Sequence, residues 1–408
     1  MNQLVQRLRI AVLTRNFSPQ AGGAERYSIA LVEQLAARHE MHVFAQSIDH
    51  MKGIPIPGVT YHRVSMPFAK PRWVNQLWFA TATWWATRAA SGKGFDVVHA
   101  HENTWHGEVQ TVHVLPIRHN LFVGRTGLKK ALRWLKVLTS PRLLAYLWLE
   151  RQRYTPKKGR AVVVTSESLR LIFLATYPNA EGMTSVITPG IALPQALANV
   201  AGRQLARREL GLPESGSCIL FVGNDFYKKG LETLIDAMLL LTDAEDMSKP
   251  GQHYLVVVGQ SVQAGQFRQQ AERLALASQV FFLGGLNDVS VAYRAADCLA
   301  HPTREDTFAM VVLEAMAHAL PVVVSDSRYC GISGLLEDEV TALILDDPRD
   351  PAKLSALLRR VLVDQVLRNQ LAAASRELAS RHEWRDMARQ QETLYLQIAD
   401  ARKIQLPY

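Results

Sequence analysis

The run CLAHPTREDTFAMVVLEAMAHALPVVVSD, residues 298–326, constrains the fold of this chain more than any other stretch. A short apolar run, CLAHP, enters a polar loop; a segment with helical spacing follows, and a second apolar run, PVVVS, ends it. Strand, loop, helix and strand in that order make one unit of a parallel α/β sheet. Asp306 falls in the loop and Glu314, eight positions on, about a turn inside the helix, so both can face the open end of the sheet, where ligands bind. A carboxylate accepts from two hydroxyls of a diol, so one acid suits a ribose and the other a sugar ring. The helix start around Ala309 to Val311 offers unpaired N–H groups and a partial positive charge to a diphosphate lying between them. Together these groups match the outline of a nucleotide sugar. The same acids also read as a helix cap, Asp306, and a solvated helix position, Glu314.

A length of 408 residues is enough for two domains or more, each with its own core, and 48% hydrophobic with 20% charged residues is a globular composition. LRIAVLT near the start is too short for a signal-peptide core plus cleavage site, and no apolar stretch reaches the eighteen or so residues of a membrane span. A cytoplasmic location is therefore expected. Cys218, Cys298 and Cys330 are odd in number and lack a CxxC, which argues against a disulfide framework or a zinc site and leaves them as small core residues. A net charge of +9 points to an anionic partner: phospholipid, nucleic acid or a phosphorylated glycan.

LRIAVLT reads as a buried strand, and the turn RNFSPQAGG leads into a helix, AERYSIALVEQLAARH. Gly22 and Gly23 let the backbone approach a ligand at a strand end before a helix start, although this is no GxGxxG and supports a dinucleotide site only weakly. Further strands are expected at MHVFAQ, VTYHRVS, DVVHA and EVQTVHV, continuing a doubly wound sheet. Two histidines, His101 and His113, end such strands, where a catalytic group would project; each also reads as a structural histidine.

Between Arg118 and Arg160 the chain carries twelve Lys or Arg and a single acid, Glu150. In GLKKALRWLKVL, Leu128, Leu132, Leu135 and Leu138 fall on one side and Lys129, Lys130, Arg133 and Lys136 on the other, a basic amphipathic helix. An earlier segment, within residues 68–90, holds four of the eight Trp with basic flanks, as interface-seeking segments do. Solvated helix faces over a Trp core would give the same pattern. No standard nucleic-acid recognition motif appears, so an anionic membrane surface is the expected partner and nucleic acid is not.

SVITPGI ends a first domain, and the Pro-, Gly- and small-residue stretch that follows reads as a linker, residues 191–203. A second domain, residues 204–382, opens with a strand, SCILFVG, a loop, NDFYKK, and a helix, GLETLIDAM. Lys228 and Lys229 stand where strand hands over to helix, so their charges can meet phosphates. Two surface lysines at a turn is the plain alternative. Helices DPAKLSALLRRVL and MARQQETLYLQIADARK finish the chain.

These stretches resemble the retaining GT-B glycosyltransferases of family 4, and in detail the lipopolysaccharide core glucosyltransferase I group. The acid, seven residues, acid motif of that family corresponds to Asp306 and Glu314, with Asp in place of the first Glu and Ala309 in place of a Gly. Neighbouring Glu305 is an alternative sugar contact. VGNDFYKKG resembles the family's diphosphate clamp, with Lys229 as the lysine, Lys228 beside it, and Asn224 where Arg is usual. The resemblance implies two Rossmann-like domains, residues 1–190 and 204–382, with a donor/acceptor cleft between them and the last helix, 383–408, crossing back to the first. It implies donor contacts from Gly22, Gly23, the backbone near Gly284 and Leu286, Phe308, Ala309, Met310, Val311 and Glu314. His113 would lie beside the anomeric carbon, with His101 in support. A nucleotide sugar, UDP-glucose first, is the implied substrate, with no cofactor and no metal because no DxD is present. The implied acceptor is a lipid-linked glycan such as the inner-core heptose of lipopolysaccharide, met on the inner face of the cytoplasmic membrane. GDP-mannose or another UDP-sugar as donor for capsule or exopolysaccharide synthesis, nucleotide-sugar epimerisation, and non-catalytic binding of lipid or nucleic acid are the alternatives.

Overall fold

Short Val-, Ile- and Leu-rich runs bounded by turn residues build two parallel sheets in this protein, as expected of strands covered on both faces. The structure is a computed structural model that describes residues 6–18, 22–49, 55–68, 70–89, 94–241 and 253–403. Residues 19–21 of the first glycine turn, 69 and 90 of the Trp-rich segment and 404–408 of the last helix lie outside the described residues. Two compact units divide the chain: Met1–Gly190 with Trp384–Tyr408, and Ile191–Glu383.

The first unit contains β1 (Arg9–Leu13), β2 (Asn16–Phe17), β3 (Glu40–Ala45), β4 (Ser47–Ile48), β5 (Val59–Arg63), β6 (Val97–Ala100), β7 (Val109–Val112), β8 (Ala161–Val164) and β9 (Thr184–Val186). Its helices are α1 (Gly23–Leu35), α2 (Arg72–Ala89), α3 (Ile117–Phe122), α4 (Gly127–Leu138), α5 (Pro141–Tyr154) and α6 (Glu167–Thr176), and the chain's last helix returns to it. The second unit contains β10 (Ser217–Val222), β11 (His253–Val258), β12 (Val280–Gly284), β13 (Cys298–His301), β14 (Val322–Ser325) and β15 (Leu343–Leu345). Its helices are α7 (Val200–Glu209), α8 (Leu231–Leu241), α9 (Ala264–Arg273), α10 (Ser290–Ala295), α11 (Met310–Ala317), α12 (Pro351–Val363) and α13 (Gln365–Ser380); α14 (Trp384–Lys403) is the returning helix.

The main sheets run β5-β3-β1-β6-β7-β8-β9 and β12-β11-β10-β13-β14-β15, so strand order reverses between β1 and β6 in one and between β10 and β13 in the other. Those are the points at which loops diverge and ligands bind. Period-2 alternation divides each strand between two cores: Leu220 and Val222 pack on one face, Ile219 and Phe221 on the other. In the first unit Ile10 and Val12 part from Ala11 and Leu13 in the same way. The three cysteines are free and buried within the second unit.

Several helices were not anticipated, α7 and α13 among them. α7 begins inside the stretch read as linker, because Asn199 caps it by accepting from Gly202 N (2.8 Å) and Arg207 pairs with Asp297 (2.7 Å). α13 shows only Leu367, Leu371, Ser375 and Ala379 on its buried side, a weak apolar stripe, and is started by Asp364 accepting from Leu367 N (3.0 Å).

The basic region folds as α3, α4 and α5. Its one acid anchors it: Glu150 accepts from Ile117 N, Arg118 N (3.1 Å) and the Tyr177 hydroxyl (2.8 Å). A small core of Leu121, Val137 and Leu143 holds α4 in place. Val137 is the one buried residue of α4, while Leu128, Leu132, Leu135 and Leu138 are 57–75% exposed. In α2 the buried side holds Phe79, Ala80, Asn75, Gln76, Thr83 and Thr87, and Trp78 and Trp85 face outward. The Trp residues are therefore not the core of that segment.

Candidate functional site

In the second unit the loops after β10 and β13 lie side by side at the strand-order reversal, and they are stitched together by backbone. Lys228 O accepts from Arg304 N (2.7 Å) and from Thr303 Oγ1 (3.1 Å). Gly230, at φ +78°, lies so close to Pro302 that a Cβ there would fall 1.9 Å from the Pro302 carbonyl oxygen. Gly230→Ala is expected to cost roughly 3 kcal/mol or more, left-handed strain adding to a clash with backbone that cannot move aside. Thermal unfolding checks this, and an unshifted melting temperature would mean the loops are not pinned there.

The stitching brings Lys228, Lys229, Glu305 and Asp306 together. Lys228 Nζ lies 2.7 Å from Glu305 Oε1, an exposed pair. Lys229 Nζ lies 2.5 Å from Asp306 Oδ2 and donates to Glu305 O (3.3 Å). His301, the last residue of β13, places Nε2 3.2 Å from the same Asp306 oxygen. Asp306 Oδ1 accepts from Ala309 N (2.9 Å) and Phe308 N (3.3 Å), so it braces the turn that leads into α11 and occupies the Ala309 N–H expected to face a diphosphate, leaving that role to Met310 and Val311. Burial pushes the Asp306 pKa up, but the Lys229 ammonium and His301 outweigh it and hold the carboxyl well below its ordinary range. Asp306 therefore stands as an engaged anion beneath the loop.

Ala309 takes a left-handed backbone, φ 73°, which explains why glycine suits this position, and Met310 and Val311 open α11 behind it. Glu314, on the buried side of α11, accepts from the Tyr293 hydroxyl (2.7 Å), and Tyr293 stacks on His318. Asn224 Oδ1 accepts from Gln260 N (3.0 Å), joining the loops after β10 and β11; the side chain at the usual arginine position thus serves a loop contact. Gly259 N donates to Gly284 O (2.8 Å), which sets the end of β12, with Leu286 just beyond, at the same sheet edge. His301, Tyr293, Gln260 and Gly230 were not singled out from the sequence. For His301 the signal existed, since it ends a strand as His101 and His113 do; for Tyr293 there was none.

In the first unit Gly22 and Gly23 begin α1, with Gly22 O accepting from Arg26 N (3.1 Å). His101 and His113 follow β6 and β7 at the same edge, and His101 Nδ1 lies 2.9 Å from His113 Nε2, with Tyr27 edge-on to the His113 ring and tilted against His101. Beneath them His99 bridges Tyr395 of α14 (2.6 Å) and Thr111 (2.6 Å). Burial, with the Arg153 charge adding, pushes the His113 pKa down to about 3, so its imidazole is neutral at physiological pH. A neutral ring between a second histidine and open sheet edge can accept or donate one hydrogen bond without adding charge.

Comparison with known proteins bears on the family and the fold. The model of "Glycosyltransferase Family 4" matches residues 21–194, and that of "Glycosyl transferases group 1" matches residues 202–378. The lipopolysaccharide glucosyltransferase WaaG of Escherichia coli is 29% identical over 236 residues, 57% of this chain and 61% of that protein. A D-inositol 3-phosphate glycosyltransferase of Thermomonospora curvata is 28% identical over 402 residues, 90% of each chain. The crystal structure of WaaG superposes with a TM-score of 0.79 at 22% identity, covering 95% of this chain and 99% of that one. Anabaena HepE, solved in complex with UDP and glucose, gives 0.70 at 20% identity over 95% and 99% of the two chains. With one model over each half of the chain and two parallel Rossmann-like units of the GT-B class, this protein belongs to the family 4 glycosyltransferases.

Proposed function

We propose that the protein is a retaining glycosyltransferase that moves a hexose, with UDP-glucose as the first donor, onto a lipid-linked glycan such as the inner-core heptose of lipopolysaccharide. The observation that carries this reading is the convergence of Lys228, Lys229, the start of α11 and Glu314 at one strand-order reversal. Cations and helix N–H groups suit a diphosphate, and a buried carboxylate suits a ribose diol. The relatives support it: WaaG is a lipopolysaccharide glucosyltransferase, and HepE holds UDP and glucose. The inositol-phosphate relative supports a second reading, a phosphorylated soluble acceptor.

In the proposed reaction the acceptor hydroxyl oxygen bonds to the anomeric carbon on the face that the diphosphate leaves, and a departing phosphate oxygen takes the proton. The residues then have only to place the donor and meet the leaving charge, which falls to Lys229, Lys228 and α11 without a metal.

Two observations support attachment to an anionic membrane surface. α4 leaves four leucines 57–75% exposed among the described residues, with four cations on the same short helix. No helix among the described residues is long and apolar enough to cross a membrane, so attachment would be peripheral.

Screening UDP- and GDP-sugars for thermal stabilisation tests the donor reading, since any ligand of the folded state raises its melting temperature. Glu314→Ala should weaken UDP binding by about tenfold or more, because each hydrogen bond to a charged group contributes roughly 1.5–3 kcal/mol. Unchanged UDP affinity in calorimetry would remove Glu314 from the ribose site.

A further inference from the structure

We infer that the carboxylate that distinguishes one donor sugar from another is Glu305, and that Asp306 is a positioning residue holding Lys229 and the start of α11. The inference rests on the donor reading above and names its specificity-determining residue.

An ionised carboxylate offers about four lone-pair sites. In Asp306 all are taken: two by the N–H groups of Phe308 and Ala309, one by Lys229 Nζ and one by His301 Nε2. The side chain is only 15% exposed. Aspartate is one methylene shorter than the glutamate usual here, so its carboxyl stays against the backbone, where it holds the turn before α11. A sugar hydroxyl would gain an acceptor there only by displacing one of these partners.

Glu305 is differently placed. Its side chain is 40% exposed, Oε1 meets Lys228, and Oε2 has no partner among the described residues. Its backbone is held, with Glu305 O accepting from Lys229 and Glu305 N donating to Thr303 Oγ1, while its carboxylate is free to turn. Exposed ion pairs of the Lys228–Glu305 kind contribute little, so a diphosphate, a stronger partner for Lys228, separates them readily. Lys228 then goes to phosphate and Glu305 to the sugar hydroxyls in the same event. Asp306 and Lys229, more enclosed, stay paired because parting them would leave an uncompensated charge. The lysine pair and the acid pair thus divide the work: one couple exchanges partners when donor arrives, and the other keeps its geometry.

Three proteins test this: the parent, Glu305→Gln and Asp306→Asn. The readouts are the kcat/KM ratio for UDP-glucose over its C4 epimer UDP-galactose, UDP affinity by calorimetry, and the melting temperature without ligand. A hydrogen bond from a hydroxyl to a charged acceptor separates such epimers, so Glu305→Gln should shift the ratio by about tenfold while UDP affinity and melting temperature hold. Asp306→Asn should lower the melting temperature and weaken UDP, with the ratio kept. The inference is overturned if Glu305→Gln leaves the ratio unchanged, or if Asp306→Asn shifts it with melting temperature and UDP affinity intact. Glu305 is exposed, so its variant folds and decides the matter even if Asp306→Asn does not fold. If no nucleotide sugar stabilises the parent, the donor reading fails and the Glu305 assignment falls with it. A donor that binds with an unchanged Glu305→Gln ratio sinks this inference alone.

Discussion

Lys229→Ala is expected to lower kcat by a factor on the order of a hundred or more, the usual loss when a preorganised charge aimed at a leaving group is removed. The variant also strips Asp306 of its cation. Leaving one member of an enclosed pair without the other costs roughly 3–5 kcal/mol, so the melting temperature should fall as well. Lys229→Ala combined with Asp306→Asn separates the two effects. With both charges gone no uncompensated anion remains, so stability should largely return while kcat stays low. If the double variant regains activity along with stability, Lys229 serves the fold alone. The same assay bears on the metal: the parent should keep its activity in EDTA, and strong inhibition reversed by Mn²⁺ would contradict a reaction in which lysines meet the leaving charge.

Replacing Lys129, Lys130, Arg133 and Lys136 with Gln should abolish co-sedimentation with anionic vesicles and leave UDP-sugar stabilisation unchanged. Each Lys or Arg near an anionic surface contributes about 1 kcal/mol, so the four supply roughly 4 kcal/mol, close to a thousandfold in affinity. Salt should weaken attachment steeply, because the attraction is screened within a Debye length. The leucines add a second arm. Leu128, Leu132, Leu135 and Leu138 are exposed, so changing them to Ser should leave the melting temperature in place and still reduce vesicle binding. A quadruple Gln variant that sediments like the parent, or a parent indifferent to anionic vesicles at low salt, would make α4 a solvated face. Glu150 makes the test local: it ties the start of α3 to α5, so the basic helices keep their place when α4 loses its charge.

Local pattern was enough for the frame. Runs such as AVVV in β8 and VVVS in β14 are buried along their whole length, and strands covered on both faces need nothing but such runs. Asp306, the lysines at 228 and 229, and the glycines at 22 and 23 stand between strands and helices, and Glu314 a turn inside α11, because chain order alone places them there. The composition of α4, basic on one side and leucine-rich on the other, was equally plain.

What each of these residues does was decided by contacts between distant parts of the chain. Asp306 is an engaged anion because Lys229, 77 positions away, and His301 fill its oxygens. Glu314 meets Tyr293, 21 positions earlier, on a different helix. An amphipathic stripe ordinarily means a buried face, yet α4 leaves its leucines open because Val137 alone finds a core. Spacing along a chain specifies which way a side chain points from its own helix or strand. Whether a partner waits there depends on how separate loops close upon one another, and here the approach of Gly230 to Pro302 settles it.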